Sequence, residues 1–155
     1  MRITHKVDYA VRACVALTRM LAEDPGVPVK RDRLAAAEAI PGKFLDDILR
    51  QLRHANLLRS HRGPDGGWTL AVPPEEITVA DIIRVLEGPL ASVRGVRPHE
   101  LSEEGVSEPF VSLWVAVRVS LRSVLEAVTV ADLAAGTLPR SVVRLTETPG
   151  AWEHH

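Results

Sequence analysis

Residues 41–72, PGKFLDDILRQLRHANLLRSHRGPDGGWTLAV, constrain the fold more than any other stretch of this chain. Leu45, Ile48, Leu49 and Leu52 recur at i, i+3, i+4 and i+7, the apolar stripe of a helix expected over about 41–55. Pro41 suits the first turn of that helix, where a missing N–H would be unpaired in any case. Directly behind it, the strand-like runs 57–61 and 67–72 flank a turn-rich tip, Arg62-Gly63-Pro64-Asp65-Gly66, which predicts a β-hairpin. Residues 31–38 (RDRLAAAE) read as a short helix before the striped one. Two helices joined by a short turn make a helix-turn-helix, and a hairpin placed after the pair makes it a winged helix.

Local signals extend this pattern in both directions. Thr4 sits where an N-cap belongs, and Val7, Ala10, Val11, Cys14, Leu17, Thr18 and Leu21 follow at helical spacing up to Glu23-Asp24-Pro25-Gly26. Thr78 and Asp81 have the spacing of a capping box, opening a helix that runs to about Glu87 and stops at Gly88-Pro89. The same four letters return at Thr129-Val130-Ala131-Asp132 and read as a second capped start, not as a domain repeat. Between them lie a polar stretch and a long apolar helix over about 109–128. Phe110, Leu113, Trp114, Val117, Leu121, Val124, Leu125 and Val128 form one apolar face of that helix, while Val111, Val115 and Val119 make a second face apolar. A helix apolar on two faces needs cover on two sides. The domain is expected to cover one, and a second copy the other, along a seam through Leu113, Trp114, Val117 and Leu121. The expected fold is mainly α with a small β-hairpin. A winged helix-turn-helix domain occupies 1–88 and a linker or sensor loop 89–108. A dimerisation helix with a short following helix fills 109–136, and a tail 137–155.

Composition narrows the function classes. Hydrophobic residues make up 46% and charged residues 25% of 155, a globular balance. The amino terminus has charges scattered through its apolar positions, and the apolar run 110–121 is short and interrupted by Arg118, so a cytoplasmic protein with no membrane association is expected. A single cysteine, Cys14, excludes an intrachain disulfide framework and any multi-cysteine metal site within one chain. Cys14 lies on the apolar stripe of the first helix, so a structural role outweighs a reactive one. Charge is divided unevenly. Residues 1–70 carry 12 Lys and Arg against 8 Asp and Glu, and residues 71–155 carry 7 against 12, which points the amino-terminal half toward a polyanion.

The glycines of the hairpin tip raise a phosphate-cradle reading, which fails because a P-loop needs G-x-x-x-x-G-K-[ST] between a strand and a helix, and here more strand follows. Glycine instead supplies positive φ and close backbone approach, with Arg62 as a long planar cation beside it. On the striped helix, Lys43, Asp47, Arg50 and His54 lie opposite the leucines, flanked by Asp46 and Gln51. The helix alone reads equally well as a solvated face. The hairpin tips the balance toward double-stranded DNA, with Lys43, Asp46 and Arg50 facing the major groove, Asp46 accepting from cytosine N4, and Arg62 reaching the minor groove. The alternative is a winged-helix interaction module that does not bind DNA and docks an acidic protein. No paired carboxylates, nucleophile–base pair or metal motif stands at catalytic spacing, so no enzyme is expected. His99, Glu100, Glu103 and Glu104 are better read as a solvated loop than as metal ligands. Trp68, Trp114 and Trp152 read as core or interface, and the closing His154-His155 is given no role.

MRITHKVDYAVRAC, IPGKFLDDILRQLRHANLL and RSHRGPDGGWTLAVPPEEITVADIIRVLEG together resemble the Rrf2 family of winged helix-turn-helix regulators, nearly continuously over residues 1–88 and more weakly through the long helix. The resemblance implies a repressor that binds a pseudo-palindromic operator as a homodimer with crossed long helices. Lys43, Phe44 and Asp46 would stand at recognition-helix positions, and Arg62 and Gly66 at wing positions. Cluster-binding members carry three cysteines between the equivalents of Glu87 and Trp114, and this chain has none there, so no iron–sulfur cluster or other cofactor is expected. Asp8, where some members use a carboxylate ligand, reads as a favourable partner of a helix amino terminus. The signal stays open: a small molecule between the winged domain and the long helix, a protein effector, a thiol modification, or none.

Overall fold

The computed structural model describes residues 3–153, with the side chains of residues 102–104 outside the description. Helix α1 (His5–Glu23) starts at Thr4, whose Oγ1 accepts from the Val7 N–H. Then come α2 (Arg31–Glu38), α3 (Gly42–His54), the antiparallel strands β1 (Leu58–His61) and β2 (Gly67–Leu70), α4 (Val79–Glu87), α5 (Glu108–Leu125), α6 (Val130–Ala135) and α7 (Arg140–Thr146). Pro41 is the N-cap residue of α3, one position earlier than expected. The stripe Leu45, Ile48, Leu49 and Leu52 is buried against Ala10, Cys14 and Leu17 of α1, with Leu34, Leu58, Ile77 and Ile82 closing the core. This is the winged helix-turn-helix, with α2 and α3 as the helix pair. Among the described residues, no helix is long and apolar enough to cross a membrane.

Two backbone pairings lie beyond the local signals. Val29, ahead of α2, bridges Trp68, with Val29 N to Trp68 O at 2.9 Å and the reverse bond at 2.8 Å, adding a third short strand segment to the hairpin. Both capping boxes form, and Thr78 and Thr129 face each other across an antiparallel bridge. The two helix starts with the same four letters are therefore joined side by side.

Residues 89–108, expected as a linker or sensor loop, bury Leu90, Pro98 and Leu101, and a 3-10 turn over Pro98–Glu104 packs on α5. Two expectations change. Helix α5 ends at Leu125, so Val128 leaves the helical face and is buried in the bridge segment. The expectation that the domain covers one side of α5 fails, because no residue of this helix is buried: Phe110 is 59% exposed, Leu113 51% and Val119 57%. Trp114 and Val117 are also exposed and Leu121 is half-buried. The physical reason is that α5 is held at its ends and by the 3-10 turn, with little of the winged domain against its length. Beyond α6, the expected tail contains α7, which buries Val142; His154 and His155 lie outside the described residues.

Replacing either capping hydroxyl removes an acceptor from a helix start that is also a bridge residue. Thr78→Ala and Thr129→Ala should each cost about 1 kcal/mol. Because the two sites touch, the double variant should depart from additivity, as measured by urea unfolding at fixed protein concentration.

Candidate nucleic-acid interface

The outward side of α3 is a network of opposite charges. Arg31, the first residue of α2, grips Asp46 with two parallel hydrogen bonds, Nε to Oδ1 at 2.7 Å and Nη2 to Oδ2 at 2.8 Å, and also donates to Asp32. This bidentate contact holds the Asp46 carboxyl below the usual carboxylate range. The next residue, Asp47, pairs with Lys6 at 3.1 Å and with Arg50 at 2.5 Å, and accepts from Gln51 at 2.7 Å; Lys6 first and Arg50 second lower its pKa. Asp46 is thus not the free acceptor expected from the sequence: both its oxygens are occupied by Arg31. Periodicity missed Arg31, because the partners lie on different helices.

Phe44 is 53% exposed but propped, its ring edge-on to Tyr9 of α1 at 6.1 Å between centroids. Arg12 stands over the same Tyr9 ring at 5.8 Å and pairs with Glu38 of α2 at 3.1 Å and with Asp8 at 3.3 Å. Lys43 is exposed at the start of α3.

The hairpin registers Leu58 with Leu70, Ser60 with Trp68 and His61 with Gly67. Arg59 and Arg62 are exposed, and among the described residues neither makes an ion pair, nor does Lys43. Gly66 is buried inside the turn, and its N–H already donates to the Gly63 carbonyl at 3.0 Å. A Cβ at Gly66 would sit 2.2 Å from the His61 carbonyl oxygen, and one at Gly67 2.5 Å from that of Val29. These two glycines are required by the hairpin's own backbone. Clearance for another molecule is not what fixes them, and Gly66 shapes the tip that carries Arg62 instead of offering a free donor. Lys30, the N-cap residue of α2, donates to the Pro64 carbonyl at that tip.

Cys14 is enclosed in the core, and burial pushes its thiol up to about 12. Among the described residues, no group of three or more His, Cys, Asp and Glu side chains could hold a metal ion; the side chains of Glu103 and Glu104 lie outside them.

The Rrf2 family, described as iron-dependent transcriptional regulators, matches residues 3–136. A Mycobacterium tuberculosis protein named as an HTH-type transcriptional regulator is 47% identical over 153 residues, covering 99% of this chain and 93% of that protein. The solved structure of CymR, the global cysteine regulator of Bacillus subtilis, superposes with a TM-score of 0.72 at 30% identity, over 88% of this chain and 98% of that one. T. potens IscR superposes with a TM-score of 0.69 at 31% identity, over 88% of each chain. The iron of the family description finds no thiolate set here: a cluster held by cysteines needs several, and this chain has one, buried and strongly disposed to stay protonated. The winged helix-turn-helix, its hairpin and these likenesses over most of the chain agree: this protein is a member of the Rrf2 family of transcriptional regulators.

Proposed function

We propose that the protein is a sequence-specific DNA-binding repressor that acts as a homodimer on a pseudo-palindromic operator and works without an iron–sulfur cluster. The observation that carries this reading is the set of exposed cations on α3 and the hairpin, Lys43, Arg59 and Arg62, that make no ion pair among the described residues. In a winged helix the amino-terminal part of the second helix enters the major groove, which brings Lys43, Phe44 and Arg50 to base edges and phosphates. Arg62, the residue after β1, reaches the flanking backbone or minor groove. Asp46 acts through Arg31, fixing that guanidinium at the rim of the recognition helix. Repression is the simplest output, since a dimer seated on an operator excludes other proteins from it.

The dimer reading rests on α5. Its exposed apolar side chains, Phe110, Leu113, Trp114, Val117 and Val119, run along one element and exceed what a solvated helix carries. A second copy covers them with the same patch, as two-fold symmetry requires, and sets two recognition helices at a fixed spacing.

Three outcomes test these readings. Arg62→Ala should weaken binding to an operator selected from genomic fragments and reduce the slope of log K against log salt by about one per protomer. An unchanged slope would remove the wing from the interface. Asp46→Ala deletes a negative charge and releases Arg31, so affinity for arbitrary DNA should rise while the ratio of specific to non-specific affinity falls; competition titrations read both. Leu113→Asp with Val117→Asp should yield monomers in light scattering at micromolar concentration, where the parent chain gives twice that mass.

A further inference from the structure

Residues 71–155 hold only seven cations against twelve acids, yet three of the seven converge on one place. Arg84 of α4, Arg97 of the connecting segment and Arg118 of α5 line a cavity of about 270 Å³, with Gly88, Pro89 and Leu90 as its remaining wall. Arg84 is compensated: it pairs with Asp81 at 3.2 Å and with Glu126, which also takes Arg122 at 2.9 Å. Among the described residues, the guanidiniums of Arg97 and Arg118 have no carboxylate partner. The backbone N–H of Arg97 donates to Glu100, and Arg118 Nη1 lies 3.5 Å from His99 Nδ1. Two guanidiniums without a carboxylate partner among the described residues, sharing a cavity with a third, repel one another unless an anion joins them. Arginine's planar fork suits carboxylate and phosphate oxygens alike.

The geometry points to a binding site for a small, doubly charged oxyanion, held by Arg97 and Arg118 with Arg84 beside them. The cavity size admits a phosphate or a short dicarboxylate, and the wall of Pro89 and Leu90 accepts a few carbons. Its three arginines come from three elements, so an occupant ties α4 of the winged domain to α5. The site stands apart from the DNA-binding reading, because it is tested on the protein without DNA.

Inorganic phosphate and malonate serve as probes, each titrated into the full chain at constant ionic strength set with chloride, with heat of binding and thermal midpoint as readouts. A saturable response to either probe is expected, with at least a tenfold loss of affinity in Arg97→Gln and in Arg118→Gln; which probe binds distinguishes a phosphate from a carboxylate ligand. Arg97 is exposed, so its variant tests the site even if Arg118→Gln folds poorly. The proposal is overturned if neither probe responds, if chloride alone reproduces the shift, or if the Arg97 variant binds like the parent. It is equally overturned if Arg118→Gln changes the oligomeric state while neither anion binds, for then the arginines meet a second copy of the chain.

Discussion

Two backbone hydrogen bonds, Val79 N to Val128 O at 2.9 Å and Val130 N to Ile77 O at 2.8 Å, bring the chain that leaves α5 back onto the winged domain. Around them the side chains of Thr78 and Thr129 cap two helices that start next to each other. Without this junction, α6 would lose its seat on α1, where Arg19 donates to the carbonyls of Leu133 and Ala134 at the end of α6. The junction also explains why α5 can stand uncovered. Both ends of the helix are fixed, at Leu101 and the 3-10 turn on one side and at the bridge on the other, so its middle needs no contact with its own domain. An element anchored this way is free to present both faces to a second chain.

The other end of the winged domain is tied together by two consecutive residues. Lys30 holds the hairpin tip through the Pro64 carbonyl, and Arg31 clamps Asp46 on α3. With the Val29–Trp68 bridge directly before them, the hairpin, the start of α2 and the recognition helix share one short anchor. Gly67 belongs to this anchor because a side chain there would collide with the Val29 carbonyl. The relative position of helix and wing therefore follows from one main-chain bridge and two side-chain contacts made by three consecutive residues, Val29, Lys30 and Arg31.

Features written in short-range code were legible in the sequence. The stripe of α3, the cap at Thr4, both capping boxes and the glycine-rich hairpin depend on residues at most a few positions apart, and local periodicity and capping chemistry specify them. Contacts between distant segments were not: Thr78 with Thr129 spans 51 positions and Arg31 with Asp46 spans 15. The letters of the capping boxes show two helix starts and carry no information that they meet. Asp46 shows the limit most clearly, since position on a helical wheel places its carboxylate outward but cannot reveal a guanidinium from the preceding helix already on it. For α5, hydrophobicity announced two faces needing cover, and only the fold showed how little of that cover comes from the same chain.

The charge network on α3 has a consequence for how such a surface engages a polyanion. Its ion pairs are exposed, with Asp46 and Arg50 more than half open to solvent, and pairs of this kind contribute about 0–1 kcal/mol each. They orient Arg31, Lys6 and Arg50 without locking them, and a phosphate at the same distance can replace a carboxylate at little cost. On the proposed DNA-binding reading, the aspartates lower the net field of this face, so long-range attraction would fall to Lys43, Arg59 and Arg62. On the same reading, short-range fit would fall to the paired arginines, whose release would depend on a phosphate or base edge being in the right place. A surface built from unpaired cations alone would hold any duplex. Interleaving carboxylates penalises every register in which the exchange of partners is incomplete, and by this means a weakly basic face of the proposed kind would discriminate among sequences.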